Sequence, residues 1–318
     1  MDVTAIICTH NRCQDLAKIL ESLSGSKVPD SVSWEVLVVD NNSNDKTREV
    51  VQNFSDRYPG LFRYLFEPRP GKSYALNLGV REAAGGVLAF LDDDVVVESS
   101  WLHNLTSPLH GSEWAGVGGR TLPSTPFKHP RWFALEGDRG LGGVLCAFFD
   151  SGDEPCQLDR PPYGANMAFR KAMFEKYGGF RLDLGPSPNG DVPRPNEDTE
   201  FGRRLMAAGE RIMYQPTAVA YHPVVEQRLK KSYFLGWWYD YGRADVRERG
   251  PLPGMWGMPR WVFSAWLTFK FSFKWMRTWD PKLRFWYKCW LWMMAGKVVE
   301  NYRQWREEEP VKAAREPQ

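Results

Sequence analysis

One stretch limits the fold more than any other: Val87-Leu88-Ala89-Phe90-Leu91-Asp92-Asp93-Asp94-Val95-Val96-Val97. An apolar run bounded by Gly86 reads as a strand buried on both faces, which belongs inside a mostly parallel sheet. It ends in three consecutive carboxylates. Side chains alternate along an extended chain, so Asp92 and Asp94 point one way and Asp93 the other. Like charges held that close beside a core repel unless one takes a proton or a cation sits between them. Mg2+ or Mn2+ suits such a pair, being a hard ion that takes oxygen ligands and shares them with phosphates. The plainer alternative is an acidic turn capping the next helix, but the valines postpone any helix until about Ser99.

The chain upstream supplies the rest of such a sheet. Ala5–Cys8 and Glu35–Val39 read as buried strands, and Phe62–Phe66 as a third. Between the first two runs a helix with Leu16, Ile19, Leu20 and Leu23 on one face, and Val50, Val51 and Phe54 mark the next. A helix from Ser73 to Ala84, with Ser73 as its cap, leads into the acidic strand. This β-α-β-α-β-α-β alternation predicts a doubly wound, mostly parallel sheet. Its ligands sit at the carboxyl ends of strands, where Thr9, Asp40 and Asp92–Asp94 all fall.

Composition closes off several function classes. A net charge of +2 over 318 residues argues against a polyanion as main partner, so no nucleic acid is expected. The five cysteines are odd in number and match no zinc spacing, which predicts reduced thiols and a cytoplasmic protein. The sequence starts directly in a strand without a signal segment, and no apolar run is long enough to span a bilayer. After residue 100 the pattern loosens. Strands are expected at Trp114–Gly119, Ala165–Arg170, Arg211–Tyr214 and Ala218–Tyr221, with a helix from Glu197 to Ala208. Segments 120–162 and 181–196 are too rich in Gly and Pro for regular elements.

Seven motifs in order now resemble the inverting glycosyltransferases of family 2, with the GT-A fold. They are Thr9-His10-Asn11-Arg12, Val38-Val39-Asp40-Asn41-Asn42-Ser43, Gly71-Lys72-Ser73-Tyr74-Ala75-Leu76-Asn77-Leu78-Gly79 and Phe90-Leu91-Asp92-Asp93-Asp94. Gly164-Ala165-Asn166-Met167-Ala168-Phe169, Asn196-Glu197-Asp198-Thr199-Glu200 and Tyr221-His222-Pro223 complete the set. The resemblance implies a doubly wound mixed sheet flanked by helices over residues 1–228, with a nucleotide-binding half (1–119) and an acceptor half (120–228). It implies a nucleoside-diphosphate sugar as donor, linked to UDP, dTDP or GDP, and a glycan or lipid-linked acceptor of cell-envelope polysaccharide synthesis. Thr9 and Asp40 would line the nucleoside pocket, together with Arg12 and Asn42. Asp92 would approach the ribose and share the metal with Asp94 and His222, Asp93 being the spare. Gly164, Ala165 and Asn166 would bring backbone to the donor sugar, and Asp198, beside Glu197, would be the general base.

Each assignment has a plainer rival. Glu197 and Asp198 could simply favour the positive end of a helix dipole. Gly71-Lys72-Ser73 looks like the end of a P-loop, but Phe66 stands where that motif needs glycine. Lys72 is left as either a contact to donor phosphate or a solvated surface lysine. A nucleotidyltransferase would use a similar domain but needs a glycine- and basic-rich first loop, and a catalytically inactive glycan-binding scaffold would not need the carboxylates.

Most of the fifteen tryptophans lie after residue 236. Residues 229–306 read as a helical extension: one helix from Ser232 to Val246, a break at Gly250-Pro251-Leu252-Pro253-Gly254, and two more from Arg260 and after Asp280-Pro281. Lys270, Lys274 and Arg277 form a basic stripe on an aromatic helix, and Arg284 and Lys288 repeat it. That pattern suits the plane of a membrane interface, here the inner face of the cell membrane, through residues 255–300. Packing within the subunit or in a homodimer is the rival. Residues 307–318 read as a frayed tail.

Overall fold

The computed structural model describes residues 1–111, 113–187, 192–250 and 260–313. Within 260–313, the side chains of residues 260–264, 266, 267, 270 and 308–313 lie outside the description. The expected break at 251–254, the side chains of Trp261, Val262, Phe263, Trp266, Leu267 and Lys270, and the end of the tail therefore fall outside the described residues. The elements run β1 (Val3–Thr9), α1 (Cys13–Ser24), β2 (Trp34–Asp40), α2 (Thr47–Arg57), β3 (Phe62–Phe66), α3 (Lys72–Glu82), β4 (Val87–Asp92) and β5 (Val96–Val97). Then follow α4 (Trp101–Thr106), β6 (Gly116–Pro123), α5 (Gly142–Cys146), β7 (Cys156–Gln157), β8 (Asn166–Arg170), α6 (Lys171–Tyr177), α7 (Glu197–Ala207) and β9 (Ile212–His222). Three helices end the chain: α8 (Lys231–Arg249), α9 (Arg260–Met276) and α10 (Pro281–Ala313).

Among the described residues, nine strands form one sheet in the order β3-β2-β1-β4-β8-β6-β9-β5, with β7 beside β9. The first four are parallel, as the alternation requires, and β8 then pairs antiparallel to β4. The expected mostly parallel sheet is thus mixed: β8 runs antiparallel between β4 and β6, β6 and β9 pair parallel, and β5 is antiparallel to β9. Along β1, Ala5 and Ile7 face one side, with Leu16, Ile19 and Leu20 of α1 and Leu105 of α4. Ile6 and Cys8 face the other, with Leu76 of α3, Phe174 of α6 and Phe201 of α7. That two-sided burial is what a period of two inside a covered sheet demands.

Two readings of local structure change. The expected pair of strands at 211–214 and 218–221 is one long strand, β9, in two registers against β6. Pairing steps from Gly119↔Gln215 to Arg120↔Val219, and Pro216 falls in the skipped stretch. A proline cannot donate to a ladder, so it is tolerated at such an irregularity. Ser73 does not cap α3, whose N-cap position is Gly71. Its hydroxyl donates instead to the Leu184 carbonyl, 2.8 Å away.

The chain divides into two units, one of residues 1–126, 146–190 and 197–224, the other of 127–145, 191–196 and 225–318. The helical part therefore takes in two earlier segments that an expected boundary at 228/229 leaves out. Within it, α10 crosses α8 at backbone contact: a Cβ on Gly242 would lie 1.9 Å from the Met293 carbonyl oxygen, and one on Gly296 2.0 Å from that of Tyr239. Only glycine fits at either point. Glu300, 1% exposed, accepts from Arg243 and Arg247 of α8 and from Arg303. Trp132 packs edge-on against Phe234 and Phe285. Asp280 starts α10 by accepting the Leu283 N–H at 2.6 Å, with Pro281 in the first helical position. Helix α10 continues through Ala313, across the start of the expected tail. Among the described residues, no helix is long and apolar enough to cross a membrane.

Candidate active site

Strand register brings the first candidates together. Thr9 pairs with Asp40 across β1 and β2, and Cys8 with Asp92 across β1 and β4. All stand at the carboxyl end of parallel strands, where such sheets place their ligands. Asp40 is buried and accepts from the Ser43 N–H and the Tyr64 hydroxyl, each at 2.8 Å. Asn42 is exposed with φ +62°, a left-handed turn that aims the chain away from β2. Asn41, which the sequence did not single out, clamps the next loop: its amide donates to the Glu67 and Arg69 carbonyls, and its oxygen accepts from Gly71 N–H.

The acidic triplet lies where β4 ends: Asp92 is its last residue, and Asp93 and Asp94 form the turn that follows. Asp92 and Asp94 face His222, whose Nε2 lies 4.0 Å from Asp92 Oδ2 and 3.3 Å from Asp94 Oδ1. Ligand atoms of these three residues lie within 4.8 Å of one another. His222 comes back to the triplet because β5 turns antiparallel onto the end of β9, pairing Val96 with Tyr221. Its Nδ1 lies 3.1 Å from the Pro223 carbonyl, which can only accept, so Nδ1 carries the proton. In the neutral ring, Nε2 then turns a lone pair toward two carboxylates. Two carboxylates and an imidazole nitrogen make a donor set that suits Mg2+ or Mn2+.

Asp93 shares a cation with Asp94. Arg12 Nη1 lies 3.0 Å from Asp93 and 2.8 Å from Asp94, bridging the two. Burial raises the Asp93 pKa, Arg12 opposes the rise, and the outcome is about 6. Every member of the triplet thus has a protein cation beside it, Arg12 at Asp93 and Asp94 and Lys72 at Asp92.

Lys72 is not a surface lysine. Its Nζ lies 2.7 Å from Asp92 Oδ1 and 3.3 Å from Glu197 Oε1. Burial pulls its pKa down, but the attraction of Asp92, Glu197 and Asp198 outweighs that and leaves it well above the ordinary lysine range. Burial raises Glu197 to about 7 even though Lys72 opposes it. The charge of Lys72 therefore connects the acidic pair to the Glu197-Asp198 corner.

Asp198 sits in the first turn of α7. Its carboxylate accepts from the Gly164 N–H at 2.5 Å and from the Thr199 N–H at 2.6 Å. A Cβ at Gly164 would come within 3.0 Å of that carboxylate, so the turn and the acid are fitted to each other. Ala165 is buried. The Asn166 side chain is spent inside the fold. Its oxygen accepts from Trp101 Nε1 at 2.8 Å, and its amide donates to the Arg120 and Ala218 carbonyls at 2.9 Å. What this turn can offer a ligand is backbone. Arg204 of the same helix bonds Glu200 and the Tyr177 and Gly179 carbonyls. Tyr64, like Asn41, lacked a local signal, because its role depends on cross-strand register.

Known proteins can now be set beside this geometry. The family described as Glycosyl transferase family 2 matches residues 4–178. The chain is 28% identical over 236 residues to glycosyltransferase AglE of Haloferax volcanii, spanning 74% of this chain and 71% of that one. It is 26% identical over 256 residues to the glucosyl-dolichyl phosphate glucuronosyltransferase of the same organism, 76% of each. Its fold is shared with a mannosyltransferase of Pyrobaculum calidifontis solved with GDP-Man and Mn2+: TM-score 0.55, 19% identity, covering 99% of this chain and 76% of that one. The nucleotidyltransferase and inactive-scaffold alternatives fall with these matches. With more than half its length inside that family, and a solved sugar transferase for a fold neighbour, the chain belongs to glycosyl transferase family 2 and is a glycosyltransferase of the GT-A fold.

Proposed function

We propose that this transferase is metal-dependent and inverting, and moves a sugar from a nucleoside diphosphate to a hydroxyl of a glycan or lipid-linked acceptor. The observation that carries the proposal is the convergence of Asp92, Asp94 and His222 on one point, with Asp198 coupled to it through Lys72. Inversion needs a single displacement at the anomeric carbon, with one base to take the acceptor proton. Asp198 fills that role: two backbone N–H groups fix its carboxylate, and lone pairs remain for the acceptor hydroxyl. A divalent ion held by Asp92, Asp94 and His222 would supply positive charge to the departing diphosphate. Lys72 adds a protein cation at the same end of the sheet. A GDP-linked donor and Mn2+ in the fold neighbour, and a lipid-linked sugar in the name of a relative, support the substrate classes.

The test is a thermal-shift screen of nucleoside diphosphates and their sugars with and without Mn2+, followed by transfer assays on variants. Asp198→Asn should lower transfer at least about a thousandfold while nucleotide affinity stays within about twofold. Asp94→Ala and His222→Ala should each weaken the Mn2+-dependent shift by about tenfold or more. Loss of nucleotide binding in Asp198→Asn would make that residue structural, and unchanged Mn2+ titrations in both other variants would remove the metal from the reading.

A further inference from the structure

Among the described residues, the last turns of α9 have two unlike faces. Phe271 stacks on Trp290 of α10 at 5.3 Å, which fixes the inner side. Phe269, Phe273 and Met276 follow at i, i+4 and i+7, so they share one stripe. They are 72%, 51% and 59% exposed, and Trp279 in the turn after them is 92% exposed. Large apolar side chains left bare together, at one end of a hairpin, mark a surface that something covers.

The charges around them name the class of partner. Lys274, Arg277, Lys282 and Arg284 are all exposed around the same turn. From Arg260 to Val299 the sequence holds a single acid, Asp280, and that one is engaged in starting α10. The cations also lie against rings: the Arg277 guanidinium is 5.2 Å from the Phe273 centroid, and that of Arg284 is 5.3 Å from Trp275. Apolar bodies with basic heads alongside them are the arrangement that places rings among acyl chains and cations among headgroups. A protein partner would need acids of its own to meet so one-sided a rim, whereas an anionic lipid surface presents them everywhere.

We infer that the α9–α10 turn is a membrane-docking tip, in which Phe269, Phe273, Met276 and Trp279 enter the interface of an anionic bilayer and Lys274, Arg277, Lys282 and Arg284 meet its headgroups. The α8–α10 side of the extension is closed by its own glycine crossing and by the buried Glu300 cluster.

The test is sedimentation of the full chain with phosphatidylcholine vesicles, with and without phosphatidylserine, over a range of salt. The parent should bind the anionic vesicles, release as salt shortens the screening length, and bind neutral vesicles weakly. Trp279→Ser should lower apparent affinity about tenfold. Lys274→Glu with Arg277→Glu should lower it about tenfold or more on anionic vesicles only. Tyr302→Ser, on α10 away from the tip, should change nothing. Far-UV circular dichroism and unfolding midpoints equal to the parent's exclude loss of fold, as expected for side chains this exposed. A parent that never sediments overturns the inference. So does equal binding by parent and both tip variants, or light scattering that shows a dimer which Trp279→Ser dissociates. That last result would assign the face to a second copy of the chain.

Discussion

Glu197 and Asp92 share one cation, and the sharing has a measurable price in pH. Glu197 is buried, its pKa raised from 4.5 to about 7, with Lys72 as its nearest opposite charge. A carboxyl whose pKa is raised by folding binds more protons in the native state than in the unfolded chain. Stability from this group is therefore fully present below about pH 4.5, is lost as pH rises toward 7, and is level above that. Against a Glu197→Gln variant, which lacks the titration, the parent should lose on the order of 2–3 kcal/mol over that window. Urea unfolding of both proteins at pH 5 and pH 7.5 measures it, and parallel shifts in the two would mean that Lys72 keeps Glu197 ionised throughout. The sequence could not have settled this. Alternation does not reach Asp93 and Asp94, because β4 ends at Asp92 and the next two residues form a turn. Lys72 was left between a phosphate contact and a surface lysine, because its two acids arrive from β4 and from the start of α7. The side-chain contacts of Asn166 were hidden for the same reason: Trp101, Arg120 and Ala218 converge on it only once three separate segments are in register.

Secondary structure was easiest to read where one periodicity dominated. The four parallel strands and α8, α9 and α10 follow from apolar runs and aromatic spacing. The continuity of β9 did not, because Pro216 looks like a terminator until β6 shows the ladder resuming beyond it. The helix crossing was equally hidden. Inside a helix pattern, glycine reads as a weakness, and replacing it by alanine on an exposed face stabilises by about 1 kcal/mol. At Gly296 the neighbour is the Tyr239 carbonyl, which cannot swing aside as a side chain can. Gly296→Ala should therefore destabilise by at least about 2 kcal/mol, opposite in sign to the helix propensity. A stabilised variant in urea melts would show that α8 and α10 do not touch there.

At the scale of the whole molecule, the helical unit is assembled from three separated stretches, and the middle one, 191–196, runs directly into Glu197 and Asp198. Arg194 in it pairs with Asp240 of α8 at 2.5 Å. The extension is thus not a detachable tail. A chain ending at Arg249 would leave Trp132 and Phe234 without Phe285, and Arg243 and Arg247 without Glu300. Such a truncation should bind a hydrophobic dye and unfold with a broadened transition, and a sharp transition at the parent's midpoint would show the catalytic unit to be independent. The same discontinuity sets a schedule during synthesis. Strands β1 to β4 come off the ribosome consecutively and can pair at once. Trp132 and Phe133 emerge long before Phe285, and at roughly 5–20 residues per second they wait many seconds for the ring that covers them. For that interval the nascent chain carries a sticky aromatic surface, so its yield depends on how fast the ribosome moves and on what binds the chain while it waits.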